Sequence, residues 1–156
     1  VAVRAGSVHR MRTNLRAVII AGAMLLSACG GGSGVIAVID SWAPATPPNA
    51  ETAAIYLEVD NGTPADDRLV DVEIDRCEAI ELHNTTIDEN RIMRMRPAEP
   101  AALEIPAGGE LVMKPAGLHV MCIGLDAPFR PGEILQLSLL LESGAILEIE
   151  TPVENR

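Results

Sequence analysis

The feature that most constrains this fold is a series of short apolar runs with strand-like alternation and almost no helical periodicity. Acidic residues largely occupy the polar positions of that alternation, as the solvent-facing side chains of a sheet do. Turn signals built on Gly, Pro or Asn separate the runs. Strands at this spacing predict an all-β antiparallel sandwich or barrel. The predicted strands cover residues 35–41, 53–59, 69–74, 79–83, 110–114, 118–124, 134–141 and 146–150.

Residues 1–28 have a different character. A basic stretch through Arg16 precedes an uncharged apolar stretch from Ala17 to Ala28, which is short for a bilayer span and typical of a signal peptide. The end of this stretch, Leu-Ser-Ala-Cys29, resembles a bacterial lipoprotein signal. We therefore expect residues 1–28 to be a lipoprotein signal peptide, Cys29 to be lipidated, and residues 29–34 to form a Gly/Ser tether. An ordinary cleaved signal with an incidental cysteine is the alternative, and Met11 is a better start than Val1.

Charge and composition exclude nucleic acid as the main partner. Four of the 12 basic residues lie in residues 1–28, so the other 128 residues carry 8 basic and 22 acidic groups, a net charge of −14. A body this acidic repels phosphate backbones and anionic lipid surfaces. The chain has one Trp, one Tyr and one Phe, too few for a base-stacking surface or an aromatic-lined sugar site.

Lipidation of Cys29 leaves two cysteines, Cys77 and Cys122. In an oxidising compartment they can pair as a disulfide, or they can remain two buried thiols. The sequence alone leaves both readings open.

Histidine and methionine are arranged in pairs in the predicted β-body. His119 and Met121 are two residues apart on a predicted strand, so their side chains project from one face, and Met93 and Met95 repeat that spacing. Thioether sulfur is a soft ligand and imidazole a borderline one, so such a set suits Cu(I) better than zinc, calcium or magnesium. Ordinary core packing of the methionines is the competing interpretation. Cys122 follows Met121 and should face the other way, so we do not expect it to bind the same ion.

The spacing of His83, Met95, His119 and Met121 resembles the motif of the periplasmic copper chaperone family known as PCuAC. The resemblance extends over roughly residues 36–153 and is specific as a combination. The segments that carry it, in order, are Asp40-Ser-Trp-Ala43, Ala54-Ile-Tyr-Leu57, Asp66-Asp-Arg-Leu69, Glu81-Leu-His83, Met93-Arg-Met-Arg96, Ile105-Pro-Ala-Gly-Gly109 and His119-Val-Met121.

The resemblance implies a single cupredoxin-like Greek-key β-barrel over residues 35–153. It also implies one Cu(I) held by His83, Met95, His119 and Met121. Asn84 stands where relatives often have another methionine. The interval between Met95 and His119 is slightly long, which a longer hairpin at residues 97–102 would absorb. Met93 is the alternative to Met95.

The implied function is an extracytoplasmic copper chaperone, anchored in the membrane of the bacterial periplasm. Its implied partners are a thioredoxin-like copper protein and cytochrome c oxidase. We expect no enzymatic activity, because no serine has a neighbouring His/Asp pattern and nothing in the sequence builds a substrate cleft. The alternatives are a metal-free adhesion or assembly module and a copper scavenger for detoxification.

Overall fold

The computed structural model describes residues 34–99 and 103–156. The predicted signal peptide at 1–28, the lipidation site Cys29 and the predicted tether, except Gly34, lie outside the described residues. So do residues 100–102 of the predicted longer hairpin. Among the described residues, no helix is long and apolar enough to cross a membrane.

Ten strands make up one continuous sheet. The strand order is β5-β4-β8-β2-β1-β10-β9-β3-β6, and β7 pairs with β2. Along this order only β1–β2, β4–β5 and β9–β10 join strands that are consecutive in the chain, so long crossovers make the other pairings. The strands are β1 (Ile36–Pro44), β2 (Thr52–Asn61), β3 (Asp67–Ile74), β4 (Cys77–Ile87), β5 (Met93–Pro97), β6 (Glu104–Ile105), β7 (Glu110–Val112), β8 (Leu118–Leu125), β9 (Ile134–Leu141) and β10 (Ile146–Glu154).

The sheet folds back on itself around one apolar core. Alternate residues of β2 and β8 on one half, and of β3, β9 and β10 on the other, enter the same buried cluster, as the period of two in their sequences predicts. Phe129, the chain's single phenylalanine, is 1% exposed within it. The fully buried members of the cluster include Ile55, Leu57, Val59, Leu69, Val120, Leu135, Leu137, Leu139, Leu141 and Val153.

Strand β1 connects the two halves. It pairs antiparallel with β2 through Trp42 and then parallel with β10 at Ala43 and Pro44. A register shift between Val38 and Asp40 marks a bulge in β1, a feature that bends a strand. The sheet therefore closes through a strand that changes partners.

The all-β, single-domain prediction is confirmed, with two differences. The expected sheet was entirely antiparallel, whereas β1 and β10 run parallel. The eight predicted strands omitted β5 and β6, and the predicted strand at 79–83 is the middle of the longer β4. All five residues of β5 are exposed, so its sequence lacks the apolar alternation that identifies a half-buried strand.

Candidate metal centre

Three adjacent strands carry the predicted ligands on one face. His83 of β4 lies directly opposite His119 of β8, and Met121 lies opposite Glu81. Met95 of β5 lies opposite Thr85, one facing position along β4 from His83. Residues that face each other across an antiparallel pair share a face of the sheet. The register therefore places the two histidines and both predicted methionines on the outer face of the same strip of sheet.

The two imidazoles are neighbours with different surroundings. Their ring centroids are 6.1 Å apart and their planes are inclined by 78°. His119 is buried at 3% exposure, and the side chain of His83 is 15% exposed. The pair thus lies in a largely desolvated part of the outer face.

Hydrogen bonds fix which nitrogen of each ring carries a lone pair. His119 Nδ1 donates to the Gly117 carbonyl oxygen at 2.9 Å, because a carbonyl only accepts; Nε2 of that ring is left with its lone pair. His83 Nε2 donates to Glu81 Oε2 at 2.8 Å, so its Nδ1 carries the lone pair. That Nδ1 is buried and has no hydrogen-bond partner. A buried nitrogen lone pair without a partner fits a metal ligand, and carboxylate or carbonyl partners on the far nitrogen are typical of metal-binding histidines.

The methionines form a more open side of the strip. Met95 is 51% exposed, whereas Met121 is half-buried. Met93 lies opposite Ile87 at the far end of β5, one facing position farther from His83 than Met95. The register therefore places Met95 nearer to the histidines than Met93.

Two aromatic residues continue the row on the other side of His119. The Tyr56 ring centroid is 6.3 Å from that of His119, and Trp42 is 4.8 Å from Tyr56. Burial raises the pKa of the Tyr56 hydroxyl. Tyr56 and Trp42 were part of the sequence resemblance, but no role was predicted for them or for Glu81. For Glu81, the two-residue spacing from His83 was the available signal.

The grouping of His, Cys, Asp and Glu side chains bears on which kinds of metal ion this face can hold. Within residues 34–99 and 103–156, no three His, Cys, Asp or Glu side chains are grouped so that they could hold one ion. The further soft donors that the register places on this face are the thioethers of Met95 and Met121. Cys122 is fully buried in the core and forms a disulfide with Cys77, so it faces away from the histidine pair.

Fold and site together define a cupredoxin-like domain with a paired His/Met face. The chain belongs to the LpqE-like family, described as "Putative lipoprotein LpqE-like", whose model matches residues 36–153. The predicted resemblance to PCuAC domains is confirmed, because the similar solved structures are PCuAC domains.

Two of the similar solved structures are copper-bound forms. The copper-bound PCuAC domain from PmoF2 has a TM-score of 0.63 and 21% identity, covering 79% of this chain and 95% of that one. The Cu(I) form of DR1885 from Deinococcus radiodurans has a TM-score of 0.56 and 28% identity, covering 74% and 75%. The apo PCuAC domain from PmoF1 has a TM-score of 0.64 at 17% identity, covering 79% and 96%.

A curated relative matches a shorter stretch. "Putative lipoprotein Lxx21020" of Leifsonia xyli subsp. xyli (strain CTCB07) is 31% identical over 77 residues. That match covers 49% of this chain and 45% of the relative, so the chain spans less than half of that relative's length.

Proposed function

We propose that this protein is an extracytoplasmic copper chaperone that binds one Cu(I) on the outer face of β4, β5 and β8. The ligands are His83, Met95, His119 and Met121. The observation that carries the proposal is the unpartnered, buried Nδ1 of His83, which lies in a ring 6.1 Å from that of His119. The copper-bound forms of the PmoF2 domain and of DR1885 support the same class of cargo.

The donor set explains the choice of copper and its oxidation state. Two imidazoles and two thioethers form a soft to borderline set without charge, which favours Cu(I) over hard divalent cations. Thioethers need not lose a proton to bind, so they remain competent at any pH. The set has no thiolate, because Cys122 is held in the disulfide, and an electron-transfer copper centre would need one.

The open methionine side suits transfer of the ion. Met95 is half exposed and lies on the edge strand, so an incoming protein can reach the metal from that side. We propose that copper passes from here toward the copper centre of cytochrome c oxidase, with a thioredoxin-like copper protein as an intermediate partner. We propose this function as metal binding and transfer, without enzymatic activity.

We also propose that the protein is exported and anchored in the membrane through lipidated Cys29. The lipoprotein descriptions of the family and of the Leifsonia relative support this location. The Cys77–Cys122 disulfide supports an oxidising compartment such as the bacterial periplasm. Residues 30–34, mostly glycine, would then act as the tether between lipid and domain.

A Cu(I) titration under reducing conditions, followed by X-ray absorption, tests the site. We expect one Cu(I) per chain with both nitrogen and sulfur scatterers. Met121→Leu should lose about half of the sulfur scattering, because Met95 remains, and should bind more than about tenfold more weakly. The matched variant Met93→Leu should keep the sulfur scattering and the affinity of the wild type. The opposite result for the two variants would move the site to Met93. Absence of sulfur around copper in the wild type would refute the proposed function.

A further inference from the structure

The hairpin of β4 and β5 presents an unusual exposed surface. Four large apolar side chains there are each more than half exposed, and three arginines accompany them within six residues. We call this the hairpin surface; it consists of Ile87, Ile92, Met93, Met95, Arg91, Arg94 and Arg96.

The hairpin surface borders the proposed copper site. Met93 and Ile87 face each other, and Met95 and Thr85 come next along the same two strands, followed by Pro97 and His83. Ile87, Met93 and Met95 are thus continuous with the face that carries the histidines, whereas Arg94 and Arg96 alternate with the methionines and lie on the other exposed face of this edge strand. Strand β5 is the last in the sheet order, and every one of its residues is exposed. A protein approaching the methionine side of the site must therefore contact this edge.

The charge of the hairpin surface is opposite to that of the rest of the domain. Residues 90–98 contain three arginines and no acidic residue, whereas the rest of residues 29–156 has 5 basic and 22 acidic groups, a net charge of −17. The acidic residues nearest in sequence are Asp88 and Glu89 before this segment and Glu99 after it. Arg94 is paired with Asp88 at 3.1 Å. Arg91 and Arg96 form no ion pair with any carboxylate of the described residues. Two cations at this edge are therefore available to a partner.

We infer that the hairpin surface is the docking site of an acidic copper-accepting protein, an inference that rests on the proposed function. An acidic partner is repelled by most of this molecule and attracted to the hairpin, so the field favours docking at this edge strand, beside the copper site. The exposed methionine and isoleucine side chains then supply apolar contact at the interface. An anionic membrane fits less well, because its extended negative surface would face the acidic domain as a whole, whereas a protein can present its acidic groups to the hairpin alone.

Copper transfer to two synthetic peptides tests this docking site. Both contain the same Cys-x-x-Cys core as a Cu(I) acceptor, one flanked by glutamates and the other by lysines. We expect the Cu(I)-loaded protein to transfer copper to the glutamate peptide about tenfold faster at roughly 0.1 M ionic strength, where charges more than about 10 Å from a docked peptide are screened and the hairpin arginines dominate. The difference should shrink at about 1 M salt, where the arginines are screened as well. Arg96→Glu should remove most of that preference. Arg130→Glu, an exposed arginine outside the hairpin with the same change of charge, should leave it within about twofold.

The copper stoichiometry of all three proteins is measured first, which separates the two proposals. A wild type that binds no Cu(I) refutes the proposed function. A wild type that binds Cu(I) but has no preference for the glutamate peptide, or equal effects of the two substitutions, refutes the docking site alone. Sedimentation with phosphatidylglycerol–phosphatidylcholine vesicles serves as a further arm. Vesicle binding that Arg96→Glu abolishes, without any peptide preference, would assign the surface to lipid instead.

Discussion

The carboxylate of Glu81 determines which nitrogen of His83 is free to bind a metal ion. Because Glu81 Oε2 accepts the proton-bearing Nε2 at 2.8 Å, the lone pair is held on Nδ1. The facing imidazole of His119 uses the Gly117 carbonyl for the same purpose but on the opposite nitrogen. That carbonyl also accepts the backbone N–H of Thr85, so it links His119 to strand β4. Each ring is therefore oriented by a group that does not itself need to touch copper.

Replacing Glu81 should weaken copper binding without unfolding the domain. In Glu81→Ala the Nε2 proton of His83 loses its acceptor, and the ring can rotate or adopt the other tautomer. We expect Cu(I) affinity to fall by about 10- to 100-fold, as for other partners of metal-bound histidines. A competition titration against a Cu(I) chelator measures the change.

Glu73→Ala is the matched control, since Glu73 is an exposed glutamate of β3 and its loss changes the net charge equally. It should bind copper like the wild type. Equal affinity of Glu81→Ala and Glu73→Ala would show that Glu81 does not position His83.

At the residue scale, the sequence identified candidate metal-ligand side chains better than the hydrogen-bond partners of polar side chains. His83, His119, Met95 and Met121 stood out because soft donors are few and regularly spaced. By contrast, Asn61 was read only as part of a turn signal. It is fully buried, donates to the carbonyls of Ala65 and Ile105, and accepts from the N–H and hydroxyl of Thr63. Those partners are set by tertiary packing, up to 44 residues away, which local patterns do not encode.

At the level of elements, β4 and β8 form the frame of the site. Their long antiparallel register places His83 opposite His119, and the disulfide between Cys77 and Cys122 joins the same two strands on the core side. The bond is therefore separated from the proposed ligands by the thickness of the sheet.

The disulfide should contribute stability but no copper ligand. Its cysteines are 45 residues apart, and a closed loop of that length is worth about 4 kcal/mol in the chain-entropy account. The Cys77→Ser/Cys122→Ser variant should lose up to about that much in urea unfolding while still binding one Cu(I) when folded. Loss of bound copper in a variant whose near-UV spectrum is native would contradict the ligand assignment.

Strand β5 shows why one part of the site was hard to foresee. The sequence placed Met93 and Met95 at strand-like spacing after the His83 strand, yet it gave no reason to extend a sheet there. A strand exposed on both faces lacks apolar alternation, so its pairing with β4 leaves no local pattern in the sequence. The register of β5 could therefore not be predicted; in the structure it places Met95 nearer to His83 than Met93.

For the whole molecule, the sequence predicted the fold class but not the strand pairing that closes the sheet. Alternating apolar runs such as those of β2 and β9 predicted an all-β domain with the correct faces buried. The parallel contact of β1 with β10 joins residues about a hundred positions apart, and it follows the bulge in β1 along the chain. Long-range pairings of this kind arise from the packing of the whole sheet, and no short-range signal marks them.

The distribution of acidic groups predicts how stability depends on pH. On the face of β1, β2 and β7, Glu58 lies opposite Asp40, and Asp60 lies opposite Glu110. Partial desolvation and then the nearby charge of Glu110 raise the pKa of Glu58. On the same face, a hydrogen bond from Arg156 lowers the pKa of Asp40. In another part of the domain, a hydrogen bond from Arg76 lowers the pKa of Asp126. The two classes of carboxyl act in opposite directions.

A raised pKa in the folded state means that Glu58 destabilises the protein when ionised, and that this penalty is relieved as the pH falls through the raised pKa. A lowered pKa means that Asp40 and Asp126 stabilise the fold above the ordinary range near about 4, and that this contribution is lost only below it. As the pH falls from 7, stability should therefore rise slightly while Glu58 is protonated and then decline below about pH 4.

Glu58→Gln should be more stable than the wild type at pH 7, and the difference should shrink as the pH falls through the raised pKa of Glu58. Urea unfolding midpoints of the wild type and Glu58→Gln, measured from pH 7 to below about pH 4, test this prediction. Glu73→Gln is the control, and its midpoints should follow those of the wild type. A Glu58→Gln protein that is no more stable at pH 7, or whose advantage is constant with pH, would show that this acidic group carries no electrostatic penalty.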